Sequence, residues 1–331
     1  MVDLFSPQGG YDIALVSVTG QVVARAHGHV RSPIADATEL PYVSASDSRV
    51  YYLDGDQQIR WLKADGTSGV AGQVGGGPRV HATFSVSPDD SRIAVALLDY
   101  STNPVALTLY VEDVATGAQH SVIFTSTSRY VWPIGWHAGQ LVVAYLGPNA
   151  VPFKSKEILY TGRDLTSYPY GTNPYGGINA HVISPINAQR LTIIGGGGNS
   201  GLLNASGSAI VQGGTVDWSG NYSWNIANGY GSISAVGSIA PDGRKIVACC
   251  WPAPAASGEL AIWSTDGSTG PAQAAGTSGD WVGWFDQTHF ITGFYQRADG
   301  RSSVVDIGNG SVSSVDVYGI VAAMIPGNLD T

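Results

Sequence analysis

The chain has 331 residues, a formal net charge of -9, 44% apolar residues and only 12% charged ones. With 16 basic against 25 acidic residues it lacks the clustered Lys and Arg of a nucleic-acid-binding face. The apolar share is enough for a sizeable core, which excludes wholesale disorder, and no apolar run reaches the roughly 18 residues of a bilayer-spanning helix. The 44 glycines follow no three-residue period, so collagen is excluded too.

In chain order, residues 2–27 hold three apolar runs, VDLFS, YDIALVSVTG and QVVARA, each expected as a strand. His27-Gly28-His29 follows in a loop, a weak H-x-H phrase with no third ligand to name. A short turn followed by an apolar strand then recurs along the chain. Ser46-Asp47-Ser48-Arg49 precedes VYYL, Pro88-Asp89-Asp90-Ser91-Arg92 precedes IAVALL, and His137-Ala138-Gly139-Gln140 precedes LVVAYL. Pro185 to Arg190 precedes LTII, Pro241-Asp242-Gly243-Arg244-Lys245 precedes IVACC, and Asp286-Gln287-Thr288-His289 precedes FITGFY. The spacing of about 40 to 55 residues is that of four-stranded propeller blades. Between these turns lie hairpins ending at Gly66, Gly117, Gly267 and Gly310, where glycine supplies the positive φ of a tight turn. Cys249 and Cys250, the only cysteines, are read as small hydrophobes on opposite faces of a strand, with a strained vicinal disulfide as the alternative.

Period-two alternation and β-branched residues predict an all-β fold, a β-propeller of four-stranded blades labelled A to D outward from the axis. The expected blades are 39–77, 78–128, 129–177, 178–227, 228–277 and 278–318. Residues 319–331 supply one more strand, GIVAAMI, and with residues 2–27 complete a seventh, composite blade. Such closure removes exposed sheet edges. A merged or split unit would make the count six or eight. The whole chain is expected to be one domain.

The phrases FSVSPDDSRIAVALLD and GSIAPDGRKIVACCW resemble the bacterial TolB-type, WD-repeat-like propeller repeat. The likeness is clear in units three and six, counting the N-terminal strands as one, and partial in unit two. Elsewhere only spacing and apolar pattern remain. The motif is structural: Pro and Asp start a turn and the apolar run fills a blade. The resemblance therefore implies a fold and, through scaffold proteins that share it, a bacterial location outside the cytoplasm. Few charges and abundant Gly, Ser, Thr and Asn fit that location. No secretory signal follows Met1, and a removed leader or a fragment of a longer protein would read the same.

In a propeller, D–A and B–C loops gather on one face near the axis, and ligands are expected there by analogy of fold. The B–C loops are long at 99–105, 147–156, 195–207 and 251–258, whereas the C–D turns are minimal. The candidate ligand-binding residues on that face are Arg79, His81, Tyr100, Tyr130, Trp132, Asn179, His181, Tyr230 and Trp281. Tyr and Trp rings there can stack on a sugar or grip a partner protein, or pack between blades. His81 and His181 share a strand-A position and read first as channel residues. No nucleophile elbow, phosphate cradle, metal spacing or assignable carboxylate pair is present, so no catalytic residue, metal or cofactor is expected. The leading expectation is a non-catalytic binding or scaffold module for a protein or glycan partner. The alternative is a polysaccharide lyase or glycosidase with its site in the axial funnel.

Overall fold

In the computed structural model of the chain, the described residues are 1–3, 6–34, 43–128, 130–137, 140–146, 179–183, 192–193, 214–216, 221–225, 232–239, 245–249, 259–264, 273–279, 281–294, 300–319, 321 and 325. All regular structure among them is β, and among them there is no helix long and apolar enough to cross a membrane. Strands β1 (Val2–Asp3), β2 (Tyr11–Val16) and β3 (Val22–Gly28) form an antiparallel sheet in that order. β4 (Val43–Ala45), β5 (Val50–Asp54), β6 (Gln58–Leu62) and β7 (Ser68–Gln73) make a four-stranded meander, and so do β8 (Val80–Val86), β9 (Arg92–Asp99), β10 (Ala106–Asp113) and β11 (Ser121–Ser126). These two sheets fall within the expected units 39–77 and 78–128.

The next sheet joins β12 (Tyr130–His137), β13 (Gln140–Leu146), β14 (Asn179–Ile183) and β15 (Thr192–Ile193). Asn179 and His181 were expected on the inner strand of a separate unit starting at 178; here their strand hydrogen-bonds to β13, with Val143 opposite His181. An alternating run such as AHVI fits any antiparallel partner, so spacing alone does not select one. A six-stranded sheet follows, from β16 (Gly214–Val216), β17 (Asn221–Asn225), β18 (Ser232–Ile239), β19 (Lys245–Cys249), β20 (Glu259–Ser264) and β21 (Gln273–Ser278). Within it β18 is shared: residues 232–236 pair with β17 and residues 237–239 with β19. Cys249 ends β19 opposite Leu260, and Cys250 lies outside the described residues. β22 (Trp281–Trp284), β23 (His289–Gly293), β24 (Ser303–Asp306) and β25 (Ser311–Ser314) complete the set, within the expected unit 278–318.

Successive side chains of a strand point to opposite faces, and here each face meets a different neighbouring sheet. Tyr51 and Leu53 pack on Ala82, Phe84 and Val95 of the following sheet, while Val50 and Tyr52 pack on Tyr11, Ile13 and Ala14 of the preceding one. Ala94, Ala96 and Leu98 face Tyr130, Val131 and Trp136. Phe290 and Val305 face Val247 and Leu260, while Ile291 and Val304 join the cluster of the N-terminal sheet. The sheet β1–β3 therefore packs on both β4–β7 and β22–β25, with Val315, Val317, Val321 and Ile325 filling the same cluster.

The recurring turns link neighbours as well as strands. Ser87 and Asp89 organise the turn before β9: the Ser87 hydroxyl donates to Asp89 (2.6 Å), and the Arg92 amide donates to the Ser87 hydroxyl (2.9 Å). Asp90, at φ 62°, turns its carboxylate to the adjoining sheet, where it accepts from the Ser48 hydroxyl (2.6 Å) and the Tyr51 hydroxyl (2.8 Å) and pairs with Arg49 (3.3 Å). Burial first, and then the bond to Asp90, hold the Tyr51 phenol above its usual range.

Candidate functional site

The ends of the sheets that carry the 54–57, 77–79 and 99–105 connections are called the upper ends here. The ladder β8–β9 continues past its last strand pair, because the Tyr100 amide donates to the Arg79 carbonyl (2.8 Å). Arg79 is exposed, and its guanidinium folds back so that Nη2 (2.7 Å) and Nε (3.1 Å) both donate to the Tyr100 carbonyl. His81 opposes Leu98, which makes Tyr100 its diagonal cross-strand neighbour on one face. Their rings meet edge to face at 5.6 Å. His81 is 2% exposed, and its Nε2 lies 3.2 Å from the Ser32 carbonyl. A carbonyl only accepts, so Nε2 carries the proton.

Tyr130 opens β12 beside this group. Its hydroxyl donates to the Val105 carbonyl (3.0 Å), with the Thr127 carbonyl at 3.1 Å sharing the proton, and burial raises its pKa. Four of the expected site residues, Arg79, His81, Tyr100 and Tyr130, thus gather around the 99–105 loop. The ring of Tyr130 is buried, and that of Tyr100 packs half-buried against the same cluster. Of the two expectations for these rings, open stacking and packing between sheets, both tyrosines take the packed one, as members of or neighbours to one apolar cluster. Within the loop, Asp99 accepts from the Ser101 hydroxyl (2.5 Å) and amide (2.8 Å), which with Arg79 nearby hold it below the usual carboxylate range.

Trp132 lies on β12, Asn179 and His181 on β14, and Trp281 at the start of β22. Tyr230 and the 147–156, 195–207 and 251–258 loops lie outside the described residues.

A second polar group, which the loop lengths did not single out, lies alongside. His27 bonds Asp12 through Nδ1 (2.7 Å), while the His29 amide (2.8 Å) and Nδ1 (2.7 Å) both meet Asp54 Oδ1. The two rings stand edge to face at 5.6 Å with different carboxylates, so the H-x-H phrase does not converge on one point. Among the described residues no three His, Cys, Asp or Glu side chains are placed to hold a metal ion. Burial works to raise the Asp54 carboxyl, but its bonds to His29 and the charge of Arg60 outweigh that and lower it. Ser32 donates from its amide and hydroxyl to Asp56, both at 2.7 Å, and Arg31 Nη1 donates to the Ala82 carbonyl (2.9 Å). The signal in the sequence is Asp54-Gly55-Asp56, a tight turn with a carboxylate on each side.

No protein-family model matches the sequence, and no curated protein matches it. Its structural neighbours are TolB and other propeller proteins. The chain is similar to TolB from Acinetobacter baumannii, at 13% identity and a TM-score of 0.40, over 86% of this chain and 66% of that one. It therefore spans just under two thirds of that protein. A chain of a mitotic checkpoint complex shows 12% identity and a TM-score of 0.47, over 87% of this chain and 81% of that one. The propeller domain of the trilobed protease from Pyrococcus furiosus, described as having an open velcro topology, shows 11% identity and a TM-score of 0.41, over 83% of each chain.

Proposed function

We propose that this chain is a non-catalytic binding module that presents the loops of its upper ends to a protein partner. In this reading the sheets are seven blades about one axis, the last completed by the two ends of the chain. The N-terminal sheet, packed on both β4–β7 and β22–β25, supports that arrangement. The observation that carries the functional reading is the Arg79–His81–Tyr100–Tyr130 group around the 99–105 loop. It sets an exposed guanidinium and a polar loop at the end of β8, whose residues after Val80 are all buried. A sugar would need a bare ring face, and the packed tyrosines favour a protein surface instead. The same reading keeps the chain outside the cytoplasm, on its composition and repeat phrases.

The test has two arms. The full chain is incubated with a panel of polysaccharides, and release of reducing ends or unsaturated sugars is measured; none is expected, and turnover overturns the module in favour of a lyase or glycosidase. Proteins crosslinked to the chain in its own cells are then compared between wild type, Arg79→Ala with the 101–104 loop shortened, and a lower-end variant, Asp65→Ala. The partner should be lost only from the upper-end variant. Loss only from Asp65→Ala places binding on the opposite face.

A further inference from the structure

Residues 29–32 cross the upper ends of three sheets. The segment leaves β3, binds the β5–β6 turn through the His29–Asp54 and Ser32–Asp56 contacts and the Gly55 amide donating to the His29 carbonyl (3.0 Å), and then reaches β8. There Arg31 bonds the Ala82 carbonyl, and the Ser32 carbonyl caps the His81 ring. All of these attachments are polar. His29, Val30, Ser32 and Pro33 are exposed, Val30 at 64%, only Arg31 between them is buried, and none of them is among the residues of the apolar clusters on either side. Apart from the buried Arg31 guanidinium, whose bond to Ala82 must also break on release, these contacts lie at a surface, where polar groups exchange partners for water at small net cost, whereas β8 beneath is buried through both faces. The segment can therefore leave while the sheets stay packed.

We propose that residues 29–32 form a releasable strap, which covers the upper end of β8 when held by Asp54 and Asp56 and uncovers His81 beside Arg79 and Tyr100 when released. It rests on the reading of that group as a binding surface, and it makes access to the surface a conformational step. Asp56 is the stronger of the two holds for the part over β8, because it takes both the amide and the hydroxyl of Ser32, next to the carbonyl that caps His81.

The experiment measures the strap without any partner. In the wild-type chain the Ser32 amide should exchange with solvent deuterium at least about tenfold faster than the Phe84 and Val95 amides, as expected of local opening. In Asp56→Ala it should speed by about a further tenfold, the scale of losing a charge-assisted pair of bonds, with Phe84 and Val95 unchanged. Labelling by diethyl pyrocarbonate, located by mass spectrometry, should rise at His81 in Asp56→Ala. It should fall below wild type when Ser32→Cys and Asp56→Cys are oxidised to a disulfide. Exchange of Ser32 only in step with Phe84 overturns the strap, and so does a released Ser32 amide with His81 still unlabelled. If Asp56→Ala does not fold, the wild-type comparison and the disulfide variant decide. Loss of partner binding in Arg79→Ala tests the surface separately, so a failed strap and a failed surface give different results.

Discussion

The sheet β8–β11 and the sheet β1–β3 meet the same need by different means. The first is four strands from one stretch of chain, with its own Ser-Pro-Asp turn between β8 and β9, and with Phe84, Ala94, Val95, Ala96 and Leu109 fully buried. The second has three strands, and its cluster is filled by Val315, Val317, Val321 and Ile325 from the far end of the sequence. Gly319, at φ +119°, lies so close that a Cβ there would sit 2.1 Å from the Val2 carbonyl oxygen. A local turn can specify a complete repeat; the N-terminal sheet depends on two chain ends finding each other. The first should tolerate distant changes, and the second should fail when either end is altered.

The largest expected effect comes from removing residues 320–331, which takes Val321 and Ile325 out of that cluster. The shortened chain should be insoluble or melt at least about 10 °C lower, the scale of losing several kcal/mol of packing. Cooperative melting at the full-length midpoint would break the comparison. Next, Phe84→Ala should cost about 3–5 kcal/mol as a cavity in a closed core, and Gly319→Ala about 2 kcal/mol through backbone strain and crowding of Val2. Denaturant titration of both variants measures whether the junction is the softer of the two regions. Asp90→Asn keeps a residue that tolerates positive φ but removes the charge facing Arg49, Ser48 and Tyr51, and should cost about 1–2 kcal/mol. Asp90→Gly should cost no more than that, since it also relaxes the backbone; a larger loss would mean the carboxylate matters less than the stiffness of the turn.

The smallest effect is with pH. Asp54, Asp89 and Asp286 are held below the ordinary carboxylate range, Asp89 first by the Ser87 hydroxyl, and Asp286 by Thr288 and His289 against the opposing effect of burial. A carboxyl with a lowered folded pKa stabilises fully above its unfolded value, about 4, and loses that contribution as pH falls through the folded one. Urea midpoints should therefore be flat from about pH 7 to 5 and decline below about 4. In Asp89→Asn the decline should be shallower, and a midpoint that rises on acidification would contradict the assignment.

Much of this was legible in residue order. The run HATFSVS, the turn Pro88 to Arg92 and the runs RIAVALL and LTLYVEDV map onto β8, β9 and β10 within a residue or two. Of the candidate site residues, Arg79, His81, Tyr100 and Tyr130 come together around the 99–105 loop, a proximity legible in sequence because they sit at the ends of neighbouring strands. That Arg31, Ser32, Asp54 and Asp56 tie the same upper ends was not legible, since nothing in their spacing links a loop after one sheet to a turn in the next.

By itself the sequence determined the strands and their turns, because period-two alternation and the φ preferences of Gly, Asp and Pro act over a few neighbouring residues. Tertiary structure alone decided which sheet Asn179–Ile183 joins, that the Tyr130 ring is covered rather than bare, and that the N-terminal sheet lies against both the 43–73 and 281–314 sheets. Each of these depends on surfaces brought together from distant parts of the chain, and burial is a property of both partners.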